Sequence, residues 1–133
     1  MERITVLVVA PLDTPKLVTI DHTLENMQKL VGGNIAATYP WEDLVGLVHA
    51  DDGIALGYPL NRMLTDEDGE VYDIVHGTFF LCGLGRDNFI SIPDDLAKKY
   101  AEKFKYPELF FRTLDDHVLA VKVGSKEDPV VIA

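Results

Sequence analysis

Cysteine, histidine and clustered carboxylates are the side chains of this 133-residue sequence that could carry out chemistry. Cys82 follows His76 by six positions, and a Cys-His pair can form an activated nucleophile. Positions six apart on one strand face the same side but lie too far apart for a direct hydrogen bond. Because Cys82 follows Phe79, Phe80 and Leu81 directly, we interpret it as a buried, inert, small hydrophobe. We predict no catalytic residue and a protein that is not an enzyme.

Metal and cofactor motifs are not recognisable in the sequence. The segment Asp66-x-Asp68-Gly69 is similar to part of a calcium loop, but Leu64 and Val75 occupy the positions of the first ligand and the bidentate glutamate. None of the histidines stands in a recognised ligand spacing: His22, His49, His76 and His117. We therefore predict no metal site and no cofactor.

A polar pair, Asn61-Arg62, is the first candidate for binding. It follows Pro59 in a segment that we interpret as a loop. In a structural interpretation, Asn61 bonds to local backbone and Arg62 pairs with Asp66 or Asp73. In a functional interpretation, the pair contacts a partner, since loops often carry function.

An acidic turn follows this pair. Asp68-Gly69 suits a tight hairpin, because both residues tolerate a positive φ angle. The turn holds the densest run of negative charge in the chain, in Asp66, Glu67, Asp68 and Glu70. A buried set of like charges would be very costly, so we expect this turn to lie in solvent and to form a binding surface together with Asn61 and Arg62. Asp51-Asp52 is a second, smaller acidic patch.

Charge is spread unevenly along the chain. Of the net charge of −10, residues 1–90 carry −9 and residues 91–133 carry −1. This distribution argues against direct binding to nucleic-acid phosphates or to an anionic membrane. It suits a basic protein partner, and it would also serve solubility alone.

The apolar pattern predicts a single α+β domain with a mixed, mostly antiparallel sheet packed by two helices. Strands are predicted at 3–10, 16–20, 34–39 and 44–49, and a return strand at 54–56 after a hairpin turn at Asp51-Asp52-Gly53. A core strand is predicted to end at Gly83. A terminal hairpin is predicted over residues 109–114 and 118–123, and an edge strand is predicted over residues 130–132. We divide the chain into a core, 1–106, and a C-terminal extension, 107–133, that packs on the same domain.

The two helices are predicted over Thr23–Val31 and Pro93–Lys105. Asp21 or Thr23 would cap the first helix, and Gly32-Gly33 would end it. Its apolar face would hold Leu24, Met27, Leu30 and Val31. Ser91 and Asp94 would form a capping box for the second helix, whose buried stripe would be Leu96, Tyr100 and Phe104. Trp41, in the turn after Pro40, would cover the core.

Cellular location is inferred from what the sequence does not contain. The start of the chain has no charged-then-apolar signal region, and no apolar run is long enough to span a bilayer. A single cysteine gives no disulfide framework. These features predict a cytoplasmic protein.

A combination of motifs resembles the family described as domain of unknown function 3846 over residues 3 to about 104. The residues that carry the resemblance are Val6–Val9, Ile20-Asp21-x-Thr23-Leu24, Leu30–Gly33, Asn61-Arg62, Asp66, Gly69, Tyr72–Ile74 and Gly77–Phe80. The resemblance implies an origin in phages, plasmids or conjugative elements of bacteria. It implies no activity and no catalytic residues.

Two functions follow as hypotheses. The first is a non-enzymatic accessory protein of a bacterial mobile element that binds a basic host or element protein through its acidic face, as an anti-defence protein or an acidic mimic of DNA would. The alternative is a small enzyme or small-molecule binder that uses Asn61, Arg62, Asp73 and His76. A concave site in which Arg62, Asp73 and His76 converge would favour the alternative. The sequence does not predict the oligomeric state.

Overall fold

The computed structural model describes residues 2–132, which form eleven strands and two helices. In chain order they are β1 (Arg3–Val9), β2 (Lys16–Asp21), α1 (Leu24–Val31), β3 (Ile35–Thr38), β4 (Val45–Ala50), β5 (Leu60–Thr65), β6 (Val71–His76), β7 (Phe79–Leu84), β8 (Phe89–Ile90), α2 (Asp94–Lys103), β9 (Glu108–Arg112), β10 (Val118–Lys122) and β11 (Val130–Ile132).

The strands form three sheets, and every pairing among them is antiparallel. The main sheet has the order β2-β1-β7-β4-β3, and β8 pairs with the end of β7. The hairpin β5-β6 is a separate two-stranded sheet, and β11-β10-β9 is a third. The α+β class is confirmed, but the prediction of one mixed sheet is wrong. The local β pattern indicated strands without indicating which of them pair.

Both faces of the main sheet are buried. Successive side chains of a strand point to opposite faces, and apolar side chains on each face form a separate core layer. On β1, Val6 and Val8 point to a core layer that includes Met27 and Val31 of α1. Leu7 points the other way, into a layer formed with α2 and the β5-β6 hairpin. The two predicted helices therefore pack on opposite faces of the sheet.

Helix α1 begins and ends as its sequence predicts. The side chain of Thr23 accepts a hydrogen bond from the backbone N–H of Asn26, and Gly32 ends the helix with φ of 79°. Met27 and Val31 are buried, whereas Leu24 is 55% exposed. The apolar face predicted from the spacing is therefore buried at Met27 and Val31 and exposed at Leu24, in the first turn of the helix.

Helix α2 is shorter than predicted and lacks the predicted capping box. Its N-cap residue is Pro93, with no side-chain cap bond. Ser91 instead accepts a hydrogen bond from the backbone N–H of Thr5, at 2.9 Å, which ties the approach to the helix to β1. Tyr100 and Phe104 are buried as predicted, and Leu96 packs partly buried against the same layer.

The segment after β4 does not return as a strand. Both edges of β4 are already paired, with β3 and β7, so a strand at 54–56 would have no free edge to join. The chain instead makes consecutive turns, in which the N–H of Leu56 donates to the carbonyl of Asp52 and that of Tyr58 donates to Gly53. The predicted hairpin at Asp51-Asp52-Gly53 is wrong for this reason.

The C-terminal strands form the predicted hairpin and edge strand. Leu119 of β10 pairs with Phe111 on one side and with Val131 on the other. This third sheet contacts the rest of the molecule through Glu108, which is buried beside β5. The division of the chain near residue 106 stays a prediction, and the Glu108 contact joins the two parts.

Candidate functional sites

Asn61 and Arg62 lie on strand β5 and are fully buried, so their predicted position in an exposed loop is wrong. The Asn61 amide donates to the carbonyl of Val9 at 2.9 Å and to that of Gly77 at 2.8 Å. Its oxygen accepts from an Arg62 Nη1 at 2.8 Å. Asn61 therefore joins the end of β1 to the turn between β6 and β7.

The Arg62 guanidinium lies in a buried shell of oxygen atoms. It donates to the carbonyl of Phe104 through Nε at 3.3 Å and Nη2 at 3.2 Å, and to the carbonyl of Asp13 at 2.6 Å. Its ion-pair partner is Glu108, with Nε and Oε2 4.0 Å apart. The predicted pairing of Arg62 with Asp66 or Asp73 is therefore wrong.

The buried pair of Arg62 and Glu108 is also held by the backbone. Glu108 Oε1 accepts from the N–H of Met63 at 2.9 Å. Burial lowers the pKa of Arg62 and raises the pKa of Glu108, and the mutual attraction of the two charges opposes both shifts. With no exposed surface, Asn61 and Arg62 cannot contact a partner in this conformation, and they act here as internal connections.

The acidic tip, residues 66–70, is the exposed turn of the β5-β6 hairpin. Asp66 Oδ1 accepts from the N–H groups of Asp68 at 2.9 Å and Glu70 at 3.0 Å, and Gly69 has φ of 81°. Asp66 therefore builds the turn, in the manner expected of aspartate at such a position. The carboxylates of Glu67, Asp68 and Glu70 extend into solvent and form no ion pair within residues 2–132.

A first cavity, the tip groove, lies between the acidic tip and helix α2. It encloses about 690 Å³. One wall is formed by residues 65–68, the opposite wall by residues 39–43, and the side toward α2 by Lys99, Tyr100 and Lys103. The groove thus combines acidic, aromatic and basic side chains.

The wall opposite the tip is held to α2 by Asp43. One carboxylate oxygen of Asp43 accepts from Lys99 Nζ at 2.6 Å and from the Tyr100 hydroxyl at 2.7 Å. These bonds lower the pKa of Asp43, while burial and the Asp43 contact raise the pKa of Tyr100. Trp41 covers this end of the core as predicted, with its ring 4.5 Å from that of Tyr100. Sequence analysis missed this cluster, because Asp43 lies more than fifty positions before Lys99 and Tyr100.

A second cavity, the seam cleft, lies where the main sheet and the β5-β6 hairpin meet. It encloses about 480 Å³, and both Asp73 and His76 line it. Neither Asn61 nor Arg62 is part of its lining, so only two of the four residues of the alternative site come together. His49, Asp51 and Asp52 also line the cleft. Sequence analysis treated Asp51 and Asp52 as part of a turn and as a surface patch, and it did not join either of them to His76.

Cys82 is fully buried on β7, and burial raises the pKa of its thiol to about 12. Its Sγ lies 3.8 Å from the carbonyl oxygen of Gly46, and it lines neither cavity. Within residues 2–132, no group of three or more His, Cys, Asp or Glu side chains is arranged to hold a metal ion.

We predict that native Cys82 reacts with a thiol reagent at least about a thousandfold more slowly than the unfolded chain, because both access and thiolate formation are suppressed. Labelling of the protein with and without denaturant, followed by mass spectrometry, measures this ratio. Rapid stoichiometric labelling of the native protein would contradict the predicted inertness.

Comparison with known proteins identifies the family. The family model described as Domain of unknown function (DUF3846) matches residues 4–105, so the chain belongs to this family. The match includes the acidic tip and the linings of both cavities, whereas Glu108 lies beyond it. No curated protein and no solved structure matches the chain. Over residues 2–132, neither helix is long and apolar enough to cross a membrane.

Proposed function

We propose that this chain is a non-enzymatic protein-binding module whose acidic tip binds a basic protein. The observation that carries the proposal is the tip itself, where four of five consecutive residues are exposed carboxylates in the turn of the β5-β6 hairpin. Because the chain carries a net charge of −10, its field attracts a basic partner toward this hairpin. Such a contact forms quickly and weakens as salt rises, since exposed charges are screened beyond about 8 Å at physiological ionic strength.

The tip groove can orient a side chain of the bound partner, which attraction between charges alone does not do. Tyr39 is 60% exposed and lies with Trp41 on the wall opposite the tip. A lysine or arginine of the partner can lay its methylene stem against such rings while its charged end meets the carboxylates of Glu67 and Asp68. In this arrangement Asn61 and Arg62 support the hairpin from inside and make no contact with the partner.

The test neutralises the tip without removing the residue that builds it. The tip variant carries Glu67→Gln, Asp68→Asn and Glu70→Gln and keeps Asp66. The matched control carries Asp87→Asn, Asp115→Asn and Asp128→Asn, three exposed residues outside the tip, and so has the same net charge. We expect partners captured from a bacterial lysate at low salt to associate at least about tenfold more slowly with the tip variant than with the control. Equal association rates for the two variants would show that the charge serves solubility alone.

We further propose that the partner is a host or element protein encountered by a bacterial mobile element, as the family resemblance implies. The most specific form of this proposal is that the chain acts as an acidic decoy for a DNA-binding protein, and the large negative charge supports it. In that case duplex DNA and this chain should compete for the captured partner. Simultaneous binding of both would exclude the decoy and leave a protein-binding role elsewhere on the partner.

A second candidate function is a small-molecule binder. It is favoured by the seam cleft, which places Asp73 and His76 on one concave surface of the size typical for small ligands. Arg62 does not line the cleft, so the site of this second candidate lacks the positively charged side chain that the sequence-based hypothesis had included.

A further inference from the structure

The seam cleft has an apolar base made by three strands from two sheets. Leu47 of β4, Leu64 of β5 and Val75 of β6 form the packed floor of the cleft, and each is at most 6% exposed, so little of their surface is open to a ligand. The apolar side chains that are open to the cleft are Ile54 and Ala55, in the turns after β4, and the half-buried Ile74 of β6. A ligand that enters the cleft can therefore bury a hydrocarbon group of moderate size against these three side chains, above this base.

The two histidines of the cleft are held in one tautomer when neutral. His49 Nδ1 lies 2.8 Å from the carbonyl oxygen of Ala50, and His76 Nδ1 lies 3.2 Å from that of Tyr58. Because a carbonyl oxygen only accepts, each Nδ1 carries the proton and donates it. The other ring nitrogen, Nε2, is then a hydrogen-bond acceptor on both side chains.

The remaining charged groups of the lining are all carboxylates. They belong to Asp51, Asp52 and Asp73, and no lysine or arginine lines the cleft. None of the three forms an ion pair within the part of the chain that the structure describes. The tip groove differs in this respect, because Lys99 and Lys103 line it.

We propose that the seam cleft binds a small apolar amine, with its hydrocarbon group on the base and its ammonium group among the carboxylates and the histidine Nε2 atoms. The proposal rests on the second candidate function, small-molecule binding, and is independent of the acidic tip. An ammonium group supplies three donors and a positive charge to a lining whose polar side chains are mostly acceptors. A carboxylate ligand of the same shape would be repelled, and an alcohol would gain burial without the charge.

Three ligands with the same phenyl group separate charge from shape: phenethylamine, 2-phenylethanol and 3-phenylpropionate. Each is titrated into the ¹⁵N-labelled full chain, and backbone amide shifts are followed by NMR. We expect phenethylamine to shift amides of the cleft lining with an affinity at least about tenfold above that of 2-phenylethanol, and we expect no binding of 3-phenylpropionate. The acidic-tip variant should bind phenethylamine as the unchanged chain does.

The matched variant is Asp51→Asn with Asp73→Asn. Asparagine at 73 keeps the side-chain oxygen that accepts from the N–H of Ile74, so the strand is preserved. We expect this variant to lose the preference for the amine while its affinity for 2-phenylethanol stays within about twofold, and Asp87→Asn to change neither. Equal binding of the amine and the alcohol to the unchanged chain would overturn the amine class but keep small-molecule binding. No shift with any ligand, or shifts confined to the tip groove, would overturn both.

Discussion

Replacing Glu108 with alanine is expected to lower the free energy of unfolding by about 3–5 kcal/mol, the usual cost of removing one partner of a buried ion pair. Arg62 is fully buried and Glu108 is 5% exposed, so the change leaves a buried guanidinium without its ion-pair partner. The same change leaves the N–H of Met63 without its acceptor. Glu108→Gln keeps an oxygen for Met63 and removes only the charge, so it should cost less than alanine.

Urea denaturation of the variants measures this prediction. Glu127 is a suitable control, because it also lies in the C-terminal segment and pairs with a lysine, Lys122, but its side chain is 66% exposed. Glu127→Ala should change the free energy of unfolding by less than about 0.5 kcal/mol. A loss below about 1 kcal/mol for Glu108→Ala would mean that the carbonyl oxygens around Arg62 stabilise its charge without Glu108.

Phe104→Ala is the second change with a large expected effect, a loss of about 3–5 kcal/mol in the free energy of unfolding. The ring is 2% exposed and meets Phe79 edge-on at a centroid distance of 5.4 Å, with Trp41 5.9 Å away. Alanine keeps the backbone carbonyl that accepts from Arg62, so the loss reports the side chain alone.

The chain offers a control of the same residue type. Phe111 is 50% exposed on the C-terminal sheet, and its replacement by alanine should cost about 1 kcal/mol or less. Chemical denaturation of both variants gives the comparison. If Phe104→Ala were no more destabilising than Phe111→Ala, the buried stripe of α2 would contribute little to stability.

Local signals in the sequence predicted the elements whose causes are local. Thr23 and Gly32 define the ends of α1 through contacts within a few residues, and Gly69, with its positive φ, lies in the predicted hairpin turn. The continuous β-branched run of β1 indicated a central strand, and β1 indeed lies inside the main sheet.

The errors concern residues whose partners are distant in sequence. Asn61 and Arg62 look like loop residues beside Pro59, yet their partners are Val9, Asp13, Phe104 and Glu108, which lie far away along the chain. A buried polar pair is stable only when such partners are present, and a single sequence does not show them. The seam cleft was only half predicted for the same reason, because His49 and His76 belong to different sheets.

The central position of β7 determines when this chain can fold during synthesis. The β1-β2 and β3-β4 hairpins are local units, but β1 and β4 do not pair with each other, and each joins the main sheet only through β7. The ribosome must therefore release the chain as far as Leu84, the last residue of β7, before the two hairpins can unite. Until then, the apolar strands of both hairpins lie open in the nascent chain, where a molecular chaperone could bind them.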